Sequence, residues 1–93
     1  MGEKIMTLHP DGKQGVNIDR TKYDVIRQAI LDCLAEQGEI PFSQLDETVA
    51  ARMAGPFDGS IGWYTTTVKL DLEARDEIER VPGRSPQVVR LSK

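Results

Sequence analysis

Positively charged side chains are concentrated at the C-terminal end of the sequence, where they could bind phosphate groups. Residues 80–93 contain four bases and no acid, namely Arg80, Arg84, Arg90 and Lys93, which gives this segment a charge of +4. The net charge of the chain is −3, so the other 79 residues carry −7. Lys and Arg supply most of the affinity of proteins for nucleic acids. The basic end is therefore a candidate nucleic-acid contact, with a solubilising surface on edge strands as the alternative.

Residues typical of metal sites and of nucleophilic catalysis are scarce. His9 is the only histidine and Cys33 the only cysteine, so these two residue types cannot form a zinc-type ligand set. No pair of carboxylates stands out for acid–base catalysis. The run Gly59-Ser60-Ile61-Gly62 could bind a phosphate, but it lacks the Gly-Lys-Ser/Thr of a nucleotide-binding loop, and an ordinary helix cap is the better interpretation. We expect neither an enzyme nor a bound metal or cofactor.

Two amphipathic helices are expected in the middle of the chain. Thr21 should cap the first helix, and Gly38 should end it because glycine readily adopts the left-handed backbone found after a helix. Ser43 should cap the second helix, which ends before Gly55-Pro56. Apolar residues recur at helical spacing in both stretches, so each helix should turn one face toward the core.

A third helix should begin at Asp58 or Ser60 and run to about Arg75. Its main apolar ridge should pack on the first two helices; the ridge is formed by Ile61, Tyr64, Thr65, Val68 and Leu72. A second apolar stripe lies on the opposite face and consists of Trp63, Leu70 and Ala74. Such a stripe is costly to leave in water, so the N-terminal segment, the C-terminal hairpin or a second subunit should cover it.

Short β-strands are expected at both ends of the chain. Residues 5–8 and 16–18 flank the turn signal His9-Pro10-Asp11-Gly12, which indicates an N-terminal β-arm. Residues 78–81 and 87–91 should form a C-terminal hairpin around a turn rich in Pro and Gly. Three helices followed by a β-hairpin is the element order of a winged helix.

The expected fold is therefore an α+β winged helix in one domain of residues 1–93. It comprises an N-terminal β-arm over 1–20, a three-helix bundle over 21–76 and a C-terminal β-hairpin wing over 77–93. No apolar run reaches the roughly 18 residues that span a bilayer, and no secretory signal follows the N-terminus. A single cysteine on an apolar stripe suits a reducing compartment. We therefore expect a cytoplasmic protein without membrane contact.

Several stretches resemble known winged helix-turn-helix regulators. The run Leu-Glu-Ala-Arg-Asp-Glu-Ile-Glu-Arg-Val at 72–81 is similar to the end of their recognition helix and first wing strand. Thr65-Thr66-Thr67-Val68 is similar to the start of that helix, and residues 38–46 are similar to the usual entry to helix 2. Across residues 5–91 the chain also resembles a small family of uncharacterised bacterial winged-helix proteins, above all at 9–23 and 57–64. The resemblance implies a fold and no established activity.

Two positions depart from the regulator pattern. Asp76 stands where those proteins usually have Gly, although Asp tolerates left-handed backbone angles better than most residues. Glu77 stands where they have an apolar residue. These acids, together with Asp71, Glu73 and Glu79, count against tight DNA binding.

Two functions stay open. The first is a transcription-regulator-like module, in which helix 3 contacts the major groove of double-stranded DNA and the wing contacts its backbone; the residues in question are Thr66, Thr67, Lys69, Arg80, Arg84 and Arg90. The second is a protein-contact or dimerisation domain without DNA binding, as in a homodimer; its interface residues are Trp63, Leu70 and Ala74.

Overall fold

A computed structural model of the chain describes residues 3–53, 57, 59–84 and 86–92. The elements run in the order β1 (Lys4–Met6), β2 (Asn17–Asp19), α1 (Arg20–Gln37), β3 (Glu39–Pro41), α2 (Phe42–Arg52), α3 (Ile61–Ala74), β4 (Ile78–Arg80) and β5 (Val88–Leu91). The expected α+β class, with three helices and small antiparallel sheets, is confirmed. Asp58, Gly55-Pro56 and Lys93, all named in the sequence predictions, lie outside the described residues.

The N-terminal arm, residues 3–19, is a two-stranded antiparallel hairpin in which Ile5 pairs with Ile18. Two hydrogen bonds close its long connection: the Thr7 N–H donates to the Val16 carbonyl at 2.8 Å, and the Val16 N–H donates to Thr7 Oγ1 at 2.9 Å. The predicted turn also forms. Gly12 has a φ of 78°, a left-handed conformation that glycine adopts without steric cost.

The second sheet has the strand order β3-β5-β4, and both pairings are antiparallel. Central strand β5 therefore joins the C-terminal hairpin to the short strand between α1 and α2. Asp76 adopts a φ of 62°, as its position after α3 predicted, and the next residue's N–H donates to the Leu72 carbonyl at 2.9 Å. This turn directs the chain from α3 into β4.

Helix α3 starts as predicted, whereas α1 has a different cap. Ser60 Oγ accepts a hydrogen bond from the Trp63 N–H at 3.1 Å, so Ser60 is the residue that caps α3. Helix α1 is capped by Asp19, whose carboxylate accepts from the Thr21 N–H at 2.8 Å. Thr21 therefore lies inside the first turn of α1, and the prediction that it caps the helix is wrong.

Helix α2 begins one residue before Ser43, and its first backbone N–H is hydrogen-bonded to a residue far away in the sequence. The Phe42 N–H donates to the Gln87 carbonyl at 2.8 Å, and no side chain caps the helix at Pro41. The prediction that Ser43 caps α2 is therefore wrong. The Gln87 carbonyl, next to β5, takes that role, because the first backbone N–H groups of a helix can donate to any suitably placed oxygen.

The core lies between the inner faces of the helices and the three-stranded sheet. Val68 and Leu72 of α3 are fully buried, which confirms the predicted ridge. Around them pack the most buried apolar side chains of the other elements: Ile26, Ile30, Leu34, Ile40, Leu45, Val49, Ile78 and Val89. In the described part of the chain, no helix has the length and apolar character needed to cross a membrane.

Candidate functional site

The connection between β1 and β2 lies across the outer face of α3. The Leu8 N–H donates to Asp71 Oδ1 at 2.8 Å, which ties the arm to the middle of α3. The second apolar stripe was expected to be covered by the N-terminal segment, the C-terminal hairpin or a second subunit. In the described residues, the N-terminal arm lies over it. Leu70 and Ala74 are half-buried, whereas Trp63 is 48% exposed.

A cleft of about 150 Å³ lies between the arm and α3. Leu8 and Val16 line it from the arm, and Trp63, Thr67 and Leu70 line it from α3. Gly15 also borders it, and a Cβ at that position would lie 1.8 Å from the Thr7 carbonyl oxygen. Any other residue at position 15 would therefore force the connection away from Thr7.

Exposed apolar side chains cluster around this cleft. Among the described residues, five large apolar side chains are strongly exposed: Met6, Leu8, Val16, Val25 and Trp63. Three of the five line the cleft, and a fourth, Met6, belongs to the same arm. Isolated exposed apolar residues are ordinary, but a contiguous group rimmed by polar residues marks an interaction surface. We call Leu8, Val16, Trp63, Thr67 and Leu70 the arm–α3 surface.

A buried carboxylate holds the arm in place beneath this surface. Asp71 is fully buried and accepts hydrogen bonds from the Leu8 N–H, the Tyr23 hydroxyl and Arg75 Nε, the last at 2.9 Å. Burial, followed by the hydrogen bond to Asp71 and its negative charge, raises the pKa of Tyr23 to about 12. Asp71 is thus a junction of the arm, α1 and α3.

Lys69 is enclosed by protein groups and cannot reach DNA in this conformation. It is only 2% exposed. Its Nζ donates to Gln87 Oε1, pairs with Glu73 Oε2 at 2.7 Å and lies 4.5 Å from the centroid of the Phe42 ring. Burial lowers the pKa of Lys69, although Glu73 opposes this shift. The prediction that Lys69 contacts the major groove is therefore wrong, because this side chain joins α3 to α2 and the segment before β5.

The arginines of the C-terminal hairpin are all paired with acids. The pairs are Arg80 with Glu73 at 3.2 Å, Arg84 with Glu39 at 3.3 Å and Arg90 with Glu79 at 2.6 Å. Glu39, Arg90 and Glu79 occupy facing positions on β3, β5 and β4, so unlike charges alternate across the sheet. The basic segment seen in the sequence is thus largely neutralised in space, although Arg80 and Arg84 are exposed enough to exchange partners.

The two predicted threonines border different clefts. Thr67 belongs to the arm–α3 surface, whereas Thr66 is exposed and borders a cleft of about 200 Å³ between α2 and α3 with Ser43 and Asp46. Of the six residues predicted to contact DNA, the structure leaves Thr66, Thr67 and the three hairpin arginines exposed or half-buried, and buries Lys69.

Leu8, Val16 and Asp71 were missed by the sequence predictions. A signal existed for the first two, since apolar residues on both sides of a turn-forming connection are unusual for a solvated loop. For Asp71 the sequence offered no comparable signal. Its spacing of four from Arg75 is equally typical of an exposed helical ion pair.

Replacing the buried Lys69 should lower the stability of the fold more than replacing the exposed Arg84. Lys69→Ala should lower the free energy of unfolding by about 1–3 kcal/mol, because it leaves the Gln87 side chain without its donor and removes buried contacts. Arg84→Ala should change it by no more than about 0.5 kcal/mol, since its pair with Glu39 is exposed. Urea denaturation of both variants checks this, and equal losses would contradict the burial of Lys69.

Comparison with known proteins adds a family but no activity. A family model described as "Family of unknown function (DUF6958)" matches residues 4–89. No curated protein and no solved structure gives a match. Because the family model covers most of the chain, this protein belongs to the family of unknown function DUF6958.

Proposed function

We propose that this chain is a winged-helix domain that binds another protein through the arm–α3 surface, without binding DNA. Three helices and a sheet of order β3-β5-β4 support the winged-helix assignment, because the strand between α1 and α2 pairs with the second strand of the hairpin. The free, buried Cys33 supports a reducing, cytoplasmic location.

One observation carries the proposal. Leu8, Val16 and Trp63 are all exposed and line one cleft, so the surface offers apolar contact area around a concave centre. Protein interfaces concentrate aromatic residues at such centres, and tryptophan is among the residues that most often dominate binding. An arm fixed by the buried Asp71 gives this surface a defined shape before binding, which lowers the entropic cost of association.

The charges argue against the nucleic-acid hypothesis. Lys69 is buried, and the hairpin arginines already have carboxylate partners. A duplex would have to displace those acids from the arginines while approaching a chain of net charge −3. Since affinity for DNA grows with the number of bases that neutralise phosphates, we expect no measurable binding of a labelled duplex even at low salt.

Site-specific photocrosslinking in living cells tests the proposal. A benzoylphenylalanine placed at Trp63 should yield covalent adducts with protein, because that side chain would lie in the interface. The same photoreactive residue at Gln44, an exposed position of α2, is the matched control and should yield few adducts. Adducts at 63 that contain nucleic acid instead of protein would contradict the proposal, as would equal protein adducts at both positions.

A further inference from the structure

We infer that the cleft between α2 and α3 binds a primary ammonium group carried on a short carbon chain. This cleft, which we call the α2–α3 cleft, has a volume of about 200 Å³, and its walls are formed by Phe42, Ser43, Asp46, Thr65 and Thr66. It shares no residue with the arm–α3 surface, so the inference does not depend on the proposed function.

A buried hydroxyl without a hydrogen-bond partner indicates that the cleft holds a ligand. Thr65 is 1% exposed. Among the described residues, its Oγ1 is the one buried side-chain nitrogen or oxygen that makes no hydrogen bond. An unpaired buried hydroxyl lowers stability, so native proteins rarely keep one without a reason. Threonine in a helix populates two rotamers, and rotation about its Cα–Cβ bond can present this hydroxyl to a ligand in the cleft.

Asp46 gives the cleft a negative charge. It is the only charged residue of the five that form the walls, and in the described part of the chain no base pairs with it. Its Oδ1 accepts a hydrogen bond from the Glu47 N–H at 2.9 Å. Its Oδ2 reaches toward α3, because a Cβ added to Gly62 would lie 3.5 Å from that oxygen. Oδ2 can therefore accept an N–H from a ligand.

The balance of charges favours a cation over an anion. The first turn of α2 borders the cleft, and no side chain caps this helix. A helix N-terminus carries the equivalent of about half a positive charge, whereas the Asp46 carboxylate carries a full negative charge. Lys69, which contacts the Phe42 ring, is already paired with Glu73 at 2.7 Å. An anion would therefore meet the carboxylate as a like charge, whereas a cation is attracted to it.

The acceptors of the cleft suit an ammonium group better than a metal ion. An alkylammonium has three N–H donors, and the Asp46 carboxylate and the hydroxyls of the cleft can accept them. In the part of the chain that the structure describes, no three His, Cys, Asp or Glu side chains come together, so a divalent cation would find one charged ligand where it usually has several.

The size of the cleft sets the length of the carbon chain. An apolar cavity of about 150 Å³ holds benzene, which has six carbon atoms. By the same proportion, the α2–α3 cleft of about 200 Å³ holds about eight non-hydrogen atoms. The Phe42 ring supplies an apolar wall for the carbon chain. The ligand is therefore a small amine or the side chain of a lysine.

Titration of the full chain with n-butylammonium, followed by amide chemical shifts, tests the inference. The amide resonances of Ser43, Thr65 and Thr66 should shift saturably, with a dissociation constant on the order of 1 mM for a ligand of this size. Butanol and butyrate are the matched probes without an ammonium group, and each should bind at least about 10-fold more weakly because it lacks the charge-assisted hydrogen bonds. Nα-acetyl-lysine methylamide distinguishes the sources: tighter binding than butylammonium identifies a lysine of another protein, and weaker binding identifies a free amine.

Three variants locate the site. Thr65→Val and Asp46→Asn should each raise the dissociation constant of butylammonium at least about 10-fold. Thr48→Val is the matched control, because its hydroxyl already donates to the Gln44 carbonyl at 2.8 Å and lies outside the walls of the cleft. Without a probe, Thr65→Val should be at least as stable as the unchanged chain, since it removes an unpaired buried hydroxyl. Ser43→Ala replaces Thr65→Val if that variant does not unfold cooperatively.

Three results would overturn the inference. Cleft amides that do not respond to butylammonium, or a Thr65→Val variant that binds it as tightly as the unchanged chain, would exclude the site. Binding of butyrate in preference to butylammonium would mean that the start of α2 holds an anion. A Thr65→Val variant that loses stability, in a chain that binds no probe, would mean that an ordered water alone pairs with the hydroxyl.

Discussion

Replacing Asp71 by Ala is expected to lower the free energy of unfolding by about 3–5 kcal/mol, as removal of one partner from a buried ionic network does. The fully buried carboxylate accepts hydrogen bonds from the Leu8 N–H, the Tyr23 hydroxyl and Arg75. Its loss leaves the Tyr23 hydroxyl and the Leu8 amide without their acceptor. It also leaves a small cavity between the arm, α1 and α3.

Asp71→Asn is the matched control, because it preserves the volume and one carbonyl oxygen while removing the charge. It should lose less stability than Asp71→Ala. Chemical denaturation gives the stability, and amide hydrogen exchange at Leu8 reports the arm directly, since that amide should exchange faster in both variants. A loss below about 1 kcal/mol for Asp71→Ala would contradict the network, because it is typical of a single ordinary hydrogen bond.

The second large effect is a loss of stability at alkaline pH that depends on Tyr23. The pKa of Tyr23 is about 12 in the folded chain and 10.0 for an unperturbed tyrosine. The folded state therefore holds this proton more tightly, and the resulting stabilisation is fully present below pH 10. This stabilisation should be lost as the pH rises from 10 to 12. The loss should total about 2.7 kcal/mol, because a difference of one between the folded and unfolded pKa corresponds to about 1.36 kcal/mol.

Tyr23→Phe isolates this effect, because it keeps the ring and removes the titrating group. The difference in unfolding free energy between the unchanged chain and Tyr23→Phe should be constant below pH 10 and should shrink between pH 10 and pH 12. Lys69, whose pKa is lowered, titrates in both proteins and cancels from the difference. A difference that stays constant to pH 12 would mean that the Tyr23 hydroxyl is not buried against Asp71.

Much of the fold that depends on local pattern was predictable, although the caps expected at Thr21 and Ser43 were wrong. The 3.6-residue period placed Val68 and Leu72 on the buried face of α3, and both are fully buried. The turn at Gly12, the cap at Ser60 and the left-handed Asp76 also follow from residue chemistry within a few positions. These features depend on residues close together in the sequence, so they can be predicted from one sequence alone.

The electrostatics of the candidate site were not predictable in this way. Arg84 pairs with Glu39, 45 residues away, and the Leu8 amide with Asp71, 63 residues away. Charge counted along the sequence therefore suggested a basic end, whereas the fold places an acid of another helix or strand beside each arginine. Lys69 was misassigned for the same reason, since its burial depends on groups of α2 and of the segment before β5.

The emission spectrum of Trp63 tests most directly whether the arm–α3 surface binds protein or DNA, because Trp63 is the only tryptophan of the chain. Its ring is about half exposed in the single chain and should become buried on association. We expect the emission maximum to move to shorter wavelength when the protein that crosslinks to residue 63 is added, to keep this shift at high salt and to ignore added duplex DNA. A saturable response to duplex DNA that fades with salt, without any response to that protein, would contradict this function.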